Sequence, residues 1–115
     1  MTNSRRKGKY GELEVVAILK EHGLTARRGA PMQAAGGRPT VPDVVVDGAP
    51  VWLEVKRGKL VNVRAAMRQA LQDAPATDLA AVVHRDDRGE WMLTARLEDV
   101  LELVVETLKR TEVVR

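Results

Sequence analysis

Pro42-Asp43-Val44-Val45-Val46-Asp47-Gly48-Ala49-Pro50-Val51-Trp52-Leu53-Glu54-Val55-Lys56-Arg57 is the stretch on which the fold turns. Two apolar, β-branched runs flank a Gly-Ala-Pro break, so Asp43–Arg57 reads as a hairpin of two strands, Asp43–Asp47 and Val51–Arg57. Side chains alternate along a strand, which puts Glu54 and Lys56 on one face and Val51, Leu53 and Val55 on the other. With Asp43 on the neighbouring strand, two carboxylates converge beside one lysine at the end of an otherwise apolar strand.

Upstream, Leu13, Val16, Ala17 and Lys20 follow helical spacing from about Gly8 to Glu21, and Gly23 stands where a helix ends. His22, in the last turn, complements the helix dipole. Residues 1–8 are polar and basic and read as a flexible arm. A short strand is expected over Leu24–Arg28. Residues 29–42 hold three prolines and three glycines and read as a long loop. Downstream, Val63, Ala66, Met67, Ala70 and Leu71 form the stripe of a helix over Val61–Asp73. Strands follow at Leu79–His84 and Glu90–Ala95, separated by a turn at Asp86–Gly89. Leu97, Val100, Leu101, Val104 and Leu108 make the apolar face of a last helix. The order α-β-β-β-α-β-β-α predicts one α/β domain over residues 1–115, a mixed central sheet flanked by helices.

Composition narrows the function. The 115 residues contain no cysteine, which excludes a disulfide framework, a zinc finger and a thiolate nucleophile. No apolar run is long enough to span a membrane, and the N-terminus lacks the apolar stretch of a signal peptide, so the expected setting is the cytoplasm with no membrane partner. The net charge of +3 conceals a gradient. Residues 1–73 carry 13 Lys/Arg against 7 Asp/Glu, whereas residues 74–115 carry 6 against 9. A basic front half suits a polyanion. With only two Trp, one Tyr and no Phe, the chain lacks the stacking platforms of a single-strand binder, and duplex backbone contact is the better expectation.

Two adjacent carboxylates resist ionisation unless a cation lies between them. A hard divalent ion answers this, because Mg²⁺ is bound through one or two carboxylates plus substrate phosphate. Lys56 would orient water or stabilise charge on a phosphoryl group. An ordinary cross-strand ion pair would use the same residue types, and Glu-x-Lys alone is a weak signal. The first helix adds weight: at 100° per residue Glu12 shares its face with Val15, Val16 and Leu19, the sheet-packing side, where a carboxylate needs a partner or a function. Glu12 is therefore the expected third acid, and Glu14, on another face, reads as a solvated surface residue.

These residues resemble the PD-(D/E)XK nuclease superfamily, whose signature matches Pro42-Asp43 and Glu54-Val55-Lys56. Within it, Arg6-Lys7-Gly8-Lys9-Tyr10-Gly11-Glu12 resembles the opening of the archaeal-type Holliday junction resolvases, and Lys20-Glu-His-Gly-Leu24 and Ala26-Arg27-Arg28-Gly29 continue the likeness. The match covers roughly residues 5–60. It implies a restriction-endonuclease-like core and a Mg²⁺-dependent endonuclease, with Mn²⁺ as substitute. It makes Asp43 and Glu54 metal ligands, Lys56 the catalytic lysine and Glu12 an acid near the metal. It also implies a homodimer cutting two strands of a branched duplex, and it offers Gln69 as a further site residue. The loop containing Gly36-Gly37-Arg38-Pro39-Thr40 departs from the family's shorter serine-bearing loop. Similar small proteins occur among phage-encoded nucleases, some of which nick or trim DNA.

Arg5, Arg6, Lys7 and Lys9, then Arg27, Arg28 and Arg38, then Arg57 and Lys59 lie next in sequence to the proposed acids and are the expected phosphate contacts. Arg85 and Arg88, in an acidic surround, read as surface charges only. The leading expectation is a Holliday junction resolvase. The alternatives are another structure-specific or nicking nuclease and a non-catalytic DNA-binding module on the same fold.

Overall fold

Alternation along one long strand sorts the core into two layers. The computed structural model describes residues 3–29 and 41–114 and contains helix α1 (Asn3–Glu21), strands β1 (Ala26–Arg28), β2 (Val44–Val46) and β3 (Val51–Gly58), helix α2 (Val63–Asp73), strands β4 (Leu79–Asp86) and β5 (Met92–Ala95), and helix α3 (Leu97–Val114). The element order is the one expected. The sheet runs β1-β2-β3-β4-β5, antiparallel except for the central β3–β4 pair, which is parallel. A parallel pair needs a crossover, and α2 supplies it.

Leu53 and Val55 of β3 join Val15 and Val16 of α1, with Val44, Val46 and Ala81, in one buried cluster. Trp52, on the opposite face of the same strand, joins Ala66 and Ala70 of α2 with Ala80 and Val82 of β4 in the other. The α1 face predicted to pack on the sheet does so. Its end is also as expected: Gly23 adopts φ +87°, and the Leu24 N–H donates to the Leu19 carbonyl at 3.0 Å. His22 Nδ1 donates to the Ile18 carbonyl, 2.9 Å away, in the last turn.

Two expectations are corrected. Residues 3–8 are not a flexible arm but the first turns of α1, which starts at Asn3. Arginine and lysine are good helix formers, so a basic segment extends a helix readily. The second concerns α3. Its predicted apolar stripe does not pack on the sheet: Leu97 is 71%, Leu101 50% and Leu108 59% exposed. Both sheet faces already bury their residues against α1 and α2, and α3 is left with an uncovered apolar side. The loop predicted over residues 29–42 falls for the most part, with Arg38, outside the described residues. No helix among the described residues is long and apolar enough to cross a membrane.

Candidate active site

Strand β3 places Glu54 among apolar neighbours, 5% exposed and the one buried charged residue among those described. Trp52, two residues earlier on the same face, donates its indole N–H to Glu54 Oε1 at 2.9 Å. Register does the rest. Val44 pairs with Leu53, so Asp43 is carried in beside Glu54 at the mouth of the hairpin. The Val55 backbone N–H donates to Asp43 Oδ2 at 2.9 Å, and the Gly29 N–H donates to the Asp43 carbonyl at 2.9 Å. The Asp43 carboxylate is thus clamped from β3 and its backbone from the end of β1.

Burial, then the adjoining Asp43 carboxylate, push the Glu54 carboxyl up to about 7 from an ordinary 4.5, and the nearby Lys56 opposes this. Glu54 therefore holds its proton more tightly than an ordinary carboxyl, as expected of an acid buried beside a second carboxylate with no cation between them. Glu12 is raised as well, chiefly by burial, although Arg28 stabilises its charged form and Asp43 opposes it. The Arg28 guanidinium donates through Nε to Glu12 Oε1 at 2.9 Å, and Lys56 exerts its field on both Glu12 and Glu54. Glu12, Asp43, Glu54 and Lys56 are therefore one electrostatic unit, as the sequence motif suggests. Among the described residues no group of three or more acidic or imidazole side chains is arranged to hold a metal ion. The Asp43–Glu54 pair is still the right donor set for a hard divalent ion that retains several waters, while Glu12 is engaged by Arg28.

The basic residues divide in a way the sequence does not reveal. Arg6, Lys9 and Lys59 are exposed and open to phosphate, and Arg5 and Lys7 lie on α1 with side chains outside the described set. Arg27 pairs with Asp47, and Arg28 with Glu12. Arg57 turns away from the site and donates to Glu14 Oε2 at 2.8 Å, while Arg85 donates to Glu14 Oε1 at 2.9 Å and lies 5.7 Å from the Trp91 ring centre. Glu14 is thus not a solvated residue, nor Arg85 a mere surface charge: together with Arg57 they tie α1 to β3 and β4. Sequence reasoning missed Trp52, although an aromatic N–H donor at i−2 from a strand carboxylate was a signal for it. Gln69 of α2 lines one cleft with Lys56.

The proton on Glu54 competes with any cation that would bind there. Apparent affinity for such a divalent ion is expected to rise by up to about tenfold per pH unit below pH 7 and then to level off. The folded state binds this proton more tightly than the unfolded chain, so the contribution of Glu54 to the stability of the metal-free protein is fully present at low pH. Up to about 3 kcal/mol of it is lost as pH rises from 4.5 through about 7. Saturating Mg²⁺ should remove that loss. Thermal denaturation between pH 4.5 and 8, with Mg²⁺ or with EDTA, checks the sign: EDTA curves that stabilise with rising pH would contradict it.

A family model described as archaeal Holliday junction resolvase (Hjc) matches residues 3–113. No curated protein matches the chain. Among solved structures, the chain is similar to that of Archaeoglobus fulgidus Hjc, a Holliday junction resolvase from an archaeal hyperthermophile. The TM-score is 0.57 at 22% identity, with 77% of this chain and 72% of that one covered. The likeness extends to the mixed five-stranded sheet with flanking helices.

Proposed function

The chain belongs to the archaeal Holliday junction resolvase family, within the PD-(D/E)XK nuclease superfamily, and is a junction-resolving, metal-dependent endonuclease; we propose that Asp43 and Glu54 hold its divalent ion, Mg²⁺ by preference with Mn²⁺ as substitute, with Lys56 and Glu12 completing the site. The observation that carries this reading is the buried Glu54 beside the half-buried Asp43, held by the Trp52 indole and the Val55 amide next to a lysine. An ion bound there supplies a lowered pKa for coordinated water and offsets charge on the phosphoryl oxygens.

The protein's own groups do the positioning. Glu54 would hold the ion in its deprotonated form, and its Oε1 is oriented by the Trp52 indole. Asp43, held by the Val55 amide, would be the second ligand. The Lys56 ammonium projects from the Glu54 face toward the scissile phosphate and stabilises charge as the phosphodiester opens. Glu12 is oriented by Arg28, which partly offsets the burial that disfavours its charged form, within the field of Asp43 and Lys56. Arg6, Lys9 and Lys59 contact duplex phosphates from the rim; the buried or paired Arg57, Arg27 and Arg28 contribute through structure first. Gln69 lines the same cleft as Lys56 and is a contact to the substrate. The enzyme acts on four-way or otherwise branched DNA inside the cell.

Two coordinated cuts need two such sites, and the uncovered apolar side of α3 is where a second copy is best received. Leu101 and Leu108 are 50% and 59% exposed on α3, and Leu93 of the neighbouring β5 is 59% exposed. Competition between a four-way junction and linear duplex of equal length, with Mg²⁺, tests the substrate. The junction should bind at least about thirtyfold more tightly and be cut in opposed strands. Equal affinity with symmetric cutting of linear DNA would favour the general nuclease, and binding without cleavage under any divalent ion would favour the non-catalytic module. Leu101→Glu combined with Leu108→Glu should sediment as a monomer and convert paired cuts into single nicks.

A further inference from the structure

The β3–α2 connection presents an apolar side chain to solvent with unusual firmness. Leu60 is 86% exposed, the most exposed large hydrophobic residue among those described. The segment that carries it is braced on both sides. The Asp87 N–H donates to the Gly58 carbonyl at 2.8 Å, the Val61 N–H donates to Asp86 Oδ1 at 3.0 Å, and Asn62 Oδ1 accepts from the Ala65 N–H at 3.1 Å to cap α2. Exposed leucines are common singly on protein surfaces, but this one stands on a held loop next in sequence to exposed Lys59, with exposed Arg64 and Arg68 on the helix that follows.

Behind Leu60 lies a cleft of about 300 Å³ whose walls include Lys56, Leu60, Val61, Asn62, Ala65 and Gln69. Its lining combines the lysine of the proposed site, the aliphatic side chains of Leu60 and Val61, and the carboxamide of Gln69. A carboxamide pairs with the donor and acceptor edge of a base, and the aliphatic walls suit the face of one. Apolar wedges beside basic residues are the means by which proteins part stacked base steps.

Resting on the nuclease reading above, we propose that Leu60 is a wedge that opens the base stack beside the cleaved phosphodiester, and that the cleft lined by Leu60 and Lys56 receives the displaced nucleobase, with Gln69 at its edge. Branched DNA yields such a base most readily, because a pair at the branch point has lost one stacking neighbour. Leu60 is then a specificity-determining residue: the wedge favours DNA that opens easily over intact duplex.

The test uses junctions with 2-aminopurine at successive positions flanking the branch, bound to the full-length protein with Ca²⁺ in place of Mg²⁺. Fluorescence should rise at one position next to the cleaved bond. Leu60→Ala should remove most of that rise and slow Mg²⁺-dependent cleavage of a fully paired junction by about thirtyfold. A mismatch built into the branch should bring the variant back to within about threefold of wild type, and Leu60→Met should retain both signals. Three results overturn the proposal: no fluorescence rise with wild-type protein that cleaves the junction, equal slowing of Leu60→Ala on paired and mismatched junctions, or dissociation of Leu60→Ala into monomers, which would make Leu60 a subunit contact. Wild-type protein that cleaves no junction under any divalent ion would instead remove the nuclease reading beneath it.

Discussion

Glu54→Gln and Asp43→Asn are each expected to slow junction cleavage by at least about a thousandfold, equivalent to about 4 kcal/mol of transition-state stabilisation. Junction binding in the absence of cleavage should change by less than about threefold, because phosphate contacts and shape dominate affinity. The isosteric amides separate chemistry from folding. Below pH 7 Glu54 is already held as a neutral acid against Asp43, so an amide at that position reproduces the form the apoprotein prefers and still offers an oxygen to the Trp52 indole. Above pH 7 the Glu54→Gln variant should melt at the same temperature as metal-free wild type or higher, since one member of a repelling pair is gone. Loss of activity with no loss of stability is then a statement about the ion. Single-turnover cleavage at saturating Mg²⁺, set beside thermal denaturation in EDTA, measures both. Cleavage within about tenfold of wild type by either variant would displace that carboxylate from the site.

Gly29→Ala should be nearly as damaging although Gly29 touches no substrate. A Cβ there would run into the Pro42 backbone carbonyl oxygen, immediately before Asp43. Backbone cannot rotate aside as a side chain can, so the Pro42-Asp43 segment must shift. That breaks the Gly29 N–H bond to the Asp43 carbonyl and draws Asp43 off the Val55 amide. A loss of about 2–4 kcal/mol in stability and at least about a hundredfold in cleavage rate at a temperature where the variant is folded is expected. Gly8→Ala is the contrast. Its Cβ would enter open space on α1, and it should leave stability unchanged or raise it by up to about 1 kcal/mol. Chemical denaturation of the two variants together with their cleavage rates checks this, and a Gly29→Ala protein that matches wild type in both would show that the close approach is dispensable.

Much of this was legible along the chain. Strand alternation separates Glu54 and Lys56 from Leu53 and Val55, helical spacing turns Glu12 toward the sheet with Val15 and Val16, and the hairpin brings Asp43 to Glu54. Each inference needs only a repeat of two or of about 3.6 residues within one element or one turn. The N-terminal boundary of α1 lies earlier than expected because a basic segment without apolar residues has no periodicity to detect, although its residues favour helix. The α3 stripe is apolar as its spacing indicates, but periodicity reports that a face is apolar and not what covers it.

Pairing between distant elements had no such trace. Glu14 meets Arg57 across 43 residues and Arg85 across 71, and Glu12 meets Arg28 across 16. Which arginine neutralises which acid depends on how α1 settles on β3 and β4, and a charge in sequence looks the same whether it awaits phosphate or a carboxylate. The sequence by itself determined the order of elements, the strand that carries the proposed site and the four residues assigned to it. The tertiary structure decided which cations remain open to DNA, how Trp52 and Val55 hold the acids, why residue 29 must lack a side chain, and that α3 remains uncovered. The division follows from the physics: local alternation is set by backbone geometry, whereas long-range ion pairs and close approaches exist only once the layers have packed.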